Sequence, residues 1–89
     1  RYKRVTLQIT TTHPEQIIER YVKDYRHGVS VVNGYGGYSK NPMSLLHMVV
    51  SAYEVQDIVQ LMHESDEKAI INVILTENFF GGFYQRPIE

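Results

Sequence analysis

The spacing of the apolar residues switches between two periods along the chain, and the order of these switches restricts the fold more than any other feature. Val5, Leu7 and Ile9 alternate with polar residues, which predicts a half-buried strand over residues 2–10. Apolar residues at helical spacing follow this strand, at Ile17, Ile18, Tyr21, Val22 and Tyr25. A strand is therefore predicted to lead into an amphipathic helix.

Signals at both ends of this first helix predict its bounds. Thr12 and Glu15 have the spacing of a capping box, so the helix is expected to begin at Thr12. His27 places a basic side chain at the C-terminal end, where positive charge suits the helix dipole. Gly28 is expected to end the helix in a left-handed conformation.

The rest of the chain places two strands before a second helix and one strand after it. The predicted segments are a strand at 29–32, a glycine-rich loop at 33–42, a strand at 43–50, a helix that opens with a capping box at Ser51 and Glu54, and a strand at 69–76. The order β-α-β-β-α-β is that of the ferredoxin-like unit, an α+β fold. Its right-handed crossovers place both helices on one face of a four-stranded antiparallel sheet of order 4-1-3-2.

The composition narrows the class of protein further. A chain of 89 residues is one domain, and a hydrophobic fraction of 43% is ordinary for a globular protein. A net charge of -1 argues against a nucleic-acid partner, which would favour a basic surface. The absence of cysteine excludes disulfides and thiolate metal sites. No apolar run approaches the roughly 20 residues that span a bilayer.

One face of the predicted sheet is left uncovered by the two helices. It carries aliphatic side chains among polar ones, at Val32, Leu45, Val49, Ile70 and Ile74. An apolar patch of this kind is typical of an interaction surface. We expect a second copy of the chain to cover it, which predicts a homo-oligomer. The alternative is cover by the C-terminal tail or by a further domain.

The residue types that support catalysis do not form a recognisable set. The serines lie in no nucleophile-elbow pattern, and the four histidines lack metal-ligand spacing. His47 and His63 are interpreted as a sheet-face residue and a favourable charge at a helix end. We therefore predict no enzymatic activity, no catalytic residue, no metal and no cofactor.

The glycine-rich segment is the strongest candidate for a ligand site. Residues 28–38, GVSVVNGYGGY, hold most of the chain's six glycines, and consecutive flexible residues can turn their N–H groups towards an anion. The segment lacks the ending of a phosphate loop and the dinucleotide fingerprint, so a mobile turn is the alternative. The predicted ligand-binding residues, with backbone donors, tyrosine rings for stacking and one cation, are Gly34, Tyr35, Gly36, Gly37, Tyr38 and Lys40.

A second glycine pair lies near the C-terminus, among phenylalanines. Its sequence is Phe79-Phe80-Gly81-Gly82-Phe83. The segment is either a tail packed on the core or an exposed docking element. Gly81, Gly82 and Phe83 are therefore a predicted secondary loop site.

Four segments, spread over almost the whole chain, carry a resemblance to a known family. They are residues 28–39 (GVSVVNGYGGYS), 49–55 (VVSAYEV), 66–69 (DEKA) and the closing Gly82-Phe83. In this order they resemble the segments RGVTxxxGxGGYT, VVSRREV, DPKAF and GxGF of the C-terminal domain of YitT-type bacterial membrane proteins, a domain of unknown function. The chain departs from the family pattern at Phe80, Ala52 and Glu67, where the family has a glycine, a basic residue and a proline.

The resemblance implies a ferredoxin-like domain similar to the PII signalling proteins and the ACT domains, which associate through their sheets and bind ligands near loops. It also implies that residues 1–89 are a fragment whose full-length chain has a membrane domain before Arg1, with this domain on the cytoplasmic side of the cell membrane. The predicted function is a regulatory or sensory domain that binds a small anionic ligand, with a nucleotide as one candidate. The alternative is an oligomerisation or docking module without a ligand.

Overall fold

A computed structural model of the chain describes residues 3–76. The strands are β1 (Arg4–Thr11), β2 (Ser30–Tyr35), β3 (Pro42–Ser51) and β4 (Ile70–Thr76). The helices are α1 (Pro14–Asp24) and α2 (Val55–Ser65), and a 3-10 turn at Ala52–Glu54 precedes α2. The predicted secondary site at Gly81, Gly82 and Phe83 lies outside the described residues.

All four strands join one antiparallel sheet in the order β2-β3-β1-β4. This is the predicted order 4-1-3-2, read from the opposite edge. Leu7 of β1 lies opposite Met48 of β3 on one side and Val73 of β4 on the other. Residues of β1 alternate strictly between buried and half-buried, as their period of two predicts. The ferredoxin-like α+β fold is therefore confirmed.

The hydrophobic core lies between the sheet and the two helices. Leu7, Ile9, Leu46, Ile17 and Ile58 bring together β1, β3, α1 and α2, and each is completely buried. Burying a side chain of this size contributes about 1.5–3 kcal/mol. The helices cover one face of the sheet, so the other face carries the remaining side chains of every strand.

Helix α1 begins two residues later than predicted. It starts at Pro14, with His13 as the N-cap and no side-chain capping bond. The Thr12 hydroxyl lies 3.1 Å from Nδ1 of His13, and the predicted capping box between Thr12 and Glu15 is wrong. The His13 N–H instead donates to the hydroxyl of Thr11 at 2.9 Å, because that hydroxyl is held beside the helix start by the end of β1.

The C-terminal end of α1 also differs from the prediction. The helix ends at Asp24, because Tyr25 already has extended angles (φ -128, ψ 148). Gly28 does not occupy the left-handed region, so its predicted capping role is wrong. His27 lies beyond the helix, and its Nε2 is 2.8 Å from Oε1 of Glu54. His27 thus makes a tertiary contact instead of stabilising the C-terminal end of the helix.

The predicted capping box before α2 is confirmed. The Ser51 N–H donates to Oε1 of Glu54 at 3.0 Å, and the Ser51 side chain accepts from the backbone N–H of Glu54. The guanidinium of Arg4 donates to the Ser51 hydroxyl at 3.1 Å. This network, with His27 on the same Glu54 oxygen, ties together the start of β1, the end of β3, the 3-10 turn and the segment that follows α1.

One buried polar atom generates a stability prediction. Tyr21 is completely buried, and its hydroxyl has no hydrogen-bond partner in the part of the chain that the structure describes. Burial raises the pKa of this hydroxyl well above its ordinary value, so the group stays neutral. Leaving a hydroxyl buried and unpaired costs about 1–3 kcal/mol. We expect Tyr21→Phe to raise the free energy of unfolding by about 1 kcal/mol, as measured by urea denaturation.

The neighbouring tyrosine supplies the control. The rings of Tyr21 and Tyr25 are stacked with their centroids 5.3 Å apart, and both phenylalanine variants keep this stack. Tyr25→Phe should change stability by less than about 0.5 kcal/mol. A Tyr21→Phe protein less stable than the wild type would show that the hydroxyl is paired.

Candidate functional site

The connection between β2 and β3 is a short loop at the end of a protruding hairpin. β2 extends through Gly34 and Tyr35, so the loop spans residues 36–41 instead of the predicted 33–42. Oδ1 of Asn33 accepts a hydrogen bond from the Ser44 hydroxyl at 2.8 Å across the two strands. This contact keeps Asn33 and Gly34 in the strand pair, although Asn-Gly alone would favour a turn.

The backbone of the loop bonds largely to itself. The Gly36 N–H donates to the Asn41 carbonyl at 3.0 Å, and the Lys40 N–H donates to the Gly36 carbonyl at 2.9 Å. The Asn41 N–H donates to the Ser39 hydroxyl at 3.2 Å. Lys40 takes the left-handed conformation with φ 66. The amides of Gly36, Lys40 and Asn41 are therefore already used within the loop.

The loop has two features: exposed tyrosines beside a lysine, and a close approach between Gly36 and Ser39. Tyr35 and Tyr38 are exposed, Tyr38 completely, and Nζ of Lys40 lies 5.7 Å from the centroid of the Tyr35 ring. This is a cation–π distance. Gly36 faces Ser39 so closely that an added Cβ would lie 2.9 Å from the Ser39 hydroxyl oxygen. An alanine at position 36 would therefore force the Ser39 side chain to move.

A cleft of about 290 Å³ lies beside this loop, at one end of the sheet. Its walls come from three separate parts of the chain: the end of β1, the β2–β3 hairpin and the turn between α2 and β4. Among the predicted ligand-binding residues, Gly36 lines the cleft, whereas Gly34, Tyr35, Gly37, Tyr38 and Lys40 belong to the same hairpin but not to the lining. The cleft is the strongest candidate for a binding site in the described residues.

Residues that the sequence reasoning missed supply most of the polar lining. Thr10, Thr11 and Thr12 line one wall, and Asp66 and Lys68 line another. The sequence did contain a signal for these threonines and charged residues, since a run of threonines ends the first predicted strand and a charged turn precedes the fourth strand. In the predicted topology both segments reach the same end of the sheet as the glycine-rich loop.

A hydrogen-bonded pair, here named the Thr11–Asp66 clasp, holds two of these walls together. The Thr11 hydroxyl donates to Oδ2 of Asp66 at 2.5 Å, and the Lys68 N–H donates to Oδ1 at 3.1 Å. The side chain of Asp66 is only 9% exposed, and Nδ1 of His13 lies 3.7 Å from Oδ2. The bond from Thr11 is the main reason that the pKa of the Asp66 carboxyl is lowered below its ordinary value.

The two histidines singled out by the sequence are not among the residues that line the cleft. His47 is exposed on the sheet face opposite the helices, and Nε2 of His63 lies 3.3 Å from the Ala69 carbonyl at the end of α2. Residues 3–76 contain no group of three or more His, Cys, Asp or Glu that could hold a metal ion. Over the same residues, no helix is both long and apolar enough to cross a membrane.

The uncovered sheet face has the composition that the sequence predicts. Gln8 lies opposite His47 and Asn72 in the middle of this face. Aliphatic side chains flank this polar row, and their exposed fractions are 58% for Val32, 62% for Ile70 and 43% for Ile74, with Leu45 and Val49 half-buried. Within residues 3–76 this face therefore presents exposed aliphatic side chains around a polar row.

The fold of the chain is similar to that of a PII protein. A solved structure of PII from Arabidopsis thaliana, bound to citrate, has a TM-score of 0.70 at 18% identity. The similarity covers 83% of this chain and 78% of the PII chain. At this level of identity the likeness concerns the fold alone.

Sequence comparison then gives the family. The chain belongs to the family described as uncharacterized protein conserved in bacteria (DUF2179), which matches residues 27–81. The crystal structure of a DUF2179 protein from Eubacterium ventriosum has a TM-score of 0.65 at 20% identity, covering 79% of this chain and 96% of that one. Together with the relative YitT reported next, this match confirms the resemblance to YitT-type proteins.

One relative of the chain is a membrane protein. UPF0750 membrane protein YitT of Bacillus subtilis (strain 168) is 26% identical over 83 residues. The match covers 93% of this chain but 30% of the relative. The chain therefore spans less than a third of that membrane protein.

The Thr11–Asp66 clasp predicts a pH-dependent contribution to stability. Because the pKa of Asp66 is lower in the folded chain than in the unfolded chain, the clasp stabilises the fold above about pH 4. That contribution is lost as pH falls through the folded-state pKa. Thr11→Val should lower the free energy of unfolding by about 1–2 kcal/mol at pH 7. The difference from the wild type should shrink as the pH falls through the lowered pKa of Asp66.

Urea denaturation between pH 7 and pH 2.5 measures this difference. Thr12→Val is the matched control, since Thr12 is exposed and does not contact Asp66. A Thr11→Val deficit of equal size at both ends of the pH range would show that the hydroxyl does not act through the carboxylate.

Proposed function

We propose that this chain is a cytoplasmic regulatory or sensory domain of a bacterial membrane protein and that it binds a small anionic ligand at the β2–β3 loop. The observation that carries the proposal is the cleft of about 290 Å³ that Gly36 of the loop lines together with the end of β1 and the α2–β4 turn. Membership of the family and similarity to a membrane protein support the setting. Residues 1–89 then form one domain of a longer chain.

The polar lining suits an anionic group. Hydroxyls of Thr10, Thr12 and Ser39 line the cleft, and hydroxyls donate hydrogen bonds to oxyanions without any charge of their own. Tyr35 and Tyr38 stand exposed on the same hairpin, where a base or a partner surface can stack on them. The related PII structure holds citrate, so tricarboxylates join nucleotides among the ligands to be tried.

The close approach at Gly36 provides the test of this proposal. The probes are citrate, ATP and a cyclic dinucleotide, added to the 89-residue chain and followed by thermal shift and by NMR titration. A ligand present at about 100 times its dissociation constant should stabilise the fold by about 2.7 kcal/mol. Gly36→Ala forces the Ser39 hydroxyl to move and should weaken binding about tenfold, or by about 1.4 kcal/mol.

Gly28→Ala is the matched control for this variant. An added Cβ at Gly28 meets nothing within 4 Å, and Gly28 lies outside the cleft. This variant should bind as the wild type does. A wild-type chain that responds to none of the anionic probes would reject the proposed ligand function.

The second candidate function is an oligomerisation or docking module without a ligand. The observation that favours it is the accessible apolar sheet face around Val32, Ile70 and Ile74. Apolar patches on soluble domains mark interaction surfaces, and a second copy of the chain is the proposed occupant. This candidate predicts assembly without any response to anions.

Charge placed on this face should prevent assembly. We expect the wild-type chain to sediment as an oligomer and Ile74→Asp to sediment as a monomer, because an ionised carboxylate resists burial in an apolar interface. Val22→Asp is the control, since Val22 is 54% exposed on α1, away from the face. Circular dichroism checks that both variants are folded. A monomeric wild type at high concentration would refute self-association.

A further inference from the structure

We infer that Lys68 supplies the positive charge of the cleft, that the Thr11–Asp66 clasp positions it, and that the ligand's bound part is a compact oxyanion, such as a diphosphate or a short dicarboxylate. This inference rests on the proposed function. It deepens that proposal by naming a cation outside the glycine-rich loop, a residue pair that places it and a class of ligand.

Lys68 is the cation that the geometry offers. Of the residues in 3–76 that line the cleft, Lys68 alone carries a permanent positive charge. Lys40 belongs to the loop, but its ammonium lies over the ring of Tyr35, 5.7 Å from the centroid, and Lys40 does not line the cleft. A lysine and threonines in one lining supply ammonium and hydroxyl donors, a set that matches an oxyanion.

The clasp determines where Lys68 stands. Asp66 uses both carboxylate oxygens, one for the hydroxyl of Thr11 and the other for the N–H of Lys68 itself. The Ala69 N–H donates to the Asp66 carbonyl at 3.1 Å and closes the turn. The backbone of Lys68 is thereby tied to the end of β1, beside the threonines. Asp66 is a positioning residue whose oxygens are already engaged.

The negative charge of Asp66 makes this role testable. A carboxylate in the wall of an anion site weakens anion binding by repulsion. Asp66 is therefore assigned a second, favourable effect on binding, which is to position Lys68. Its side chain is 9% exposed and bonded to Thr11. The ligand is therefore expected to meet the lysine and the hydroxyls. Repulsion and positioning predict opposite effects when Asp66 is neutralised.

The dimensions of the cleft set the class of ligand. Its volume of about 290 Å³ lies at the lower end of the range of about 300–1,000 Å³ found for small-molecule sites. Part of the lining is apolar and offers no hydrogen-bond donor to a ligand oxygen; it comes from the side chains of Pro42, Met43 and Ile70. A compact group with one or two charged ends suits this volume and the single lysine, whereas a cyclic dinucleotide is too large to be enclosed.

The first experiment titrates the 89-residue chain with pyrophosphate, succinate and a cyclic dinucleotide by NMR. Pyrophosphate or succinate should shift the amides of the cleft walls in the wild type. Lys68→Met should weaken binding at least about tenfold. Lys68→Arg should stay within about threefold of the wild type, because it keeps the charge. Lys23→Met removes the same charge from the exposed last turn of α1 and should leave binding unchanged.

The second experiment separates positioning from charge. If Asp66 acted by charge alone, Asp66→Asn would bind more tightly; the clasp predicts weaker binding for Asp66→Asn and also for Thr11→Val, which keeps the charge. The double variant that combines Thr11→Val with Lys68→Met should bind no more weakly than Lys68→Met alone, because Thr11 acts through Lys68. The affinity of each variant is measured under conditions in which its denaturation curve shows that it is folded.

The outcomes distinguish this inference from the proposed function. Equal affinities for Lys68→Met and Lys23→Met, with a wild type that binds, would overturn the role of Lys68 and leave the proposed function intact. Binding of ATP or the cyclic dinucleotide without any response to pyrophosphate or succinate would overturn the ligand class alone. Tighter binding by Asp66→Asn would overturn the positioning role. A wild type that binds no anion at all would reject the proposed function itself.

Discussion

The pairing of β1 with a strand on each side is the constraint on which the rest of the structure depends. Leu7 lies between Met48 and Val73 in the ladder, so β3 and β4 both run antiparallel to β1 and lie on either side of it. The buried face of β1 is then covered by both helices. The ends of β1 also hold the two polar networks, through Arg4 at one end and Thr11 at the other.

Charge is distributed unevenly between the two layers of the fold. None of the four strands contains Asp or Glu, whereas both helices carry acidic residues in their first turns, at Glu15 and Asp57. The open sheet face therefore lacks acidic side chains and carries exposed aliphatic ones, which suits a copy of itself. The cleft at the sheet end joins hydroxyls to Lys68, which suits an anion. Family membership and the membrane relative are consistent with either use.

Local signals predicted the elements well where no distant contact competed with them. The capping box of Ser51 and Glu54 has the predicted form, because its two bonds join residues three positions apart. The end of α1 was predicted wrongly, since His27 bonds to Glu54, which is 27 positions away. The loop was predicted too long because the bond between Asn33 and Ser44 extends the strands.

The sequence by itself determined the order of the elements, the strand order, the apolar open face and the family, because periodicity, capping and motifs are short-range properties. The tertiary structure alone decided which residues share the candidate site. Thr11 and Asp66 are 55 positions apart and meet only through the register of the sheet. The glycine-rich loop was recognisable in the sequence, but Lys68 and the threonines that line its cleft became apparent only once three distant segments were brought to one end of the sheet.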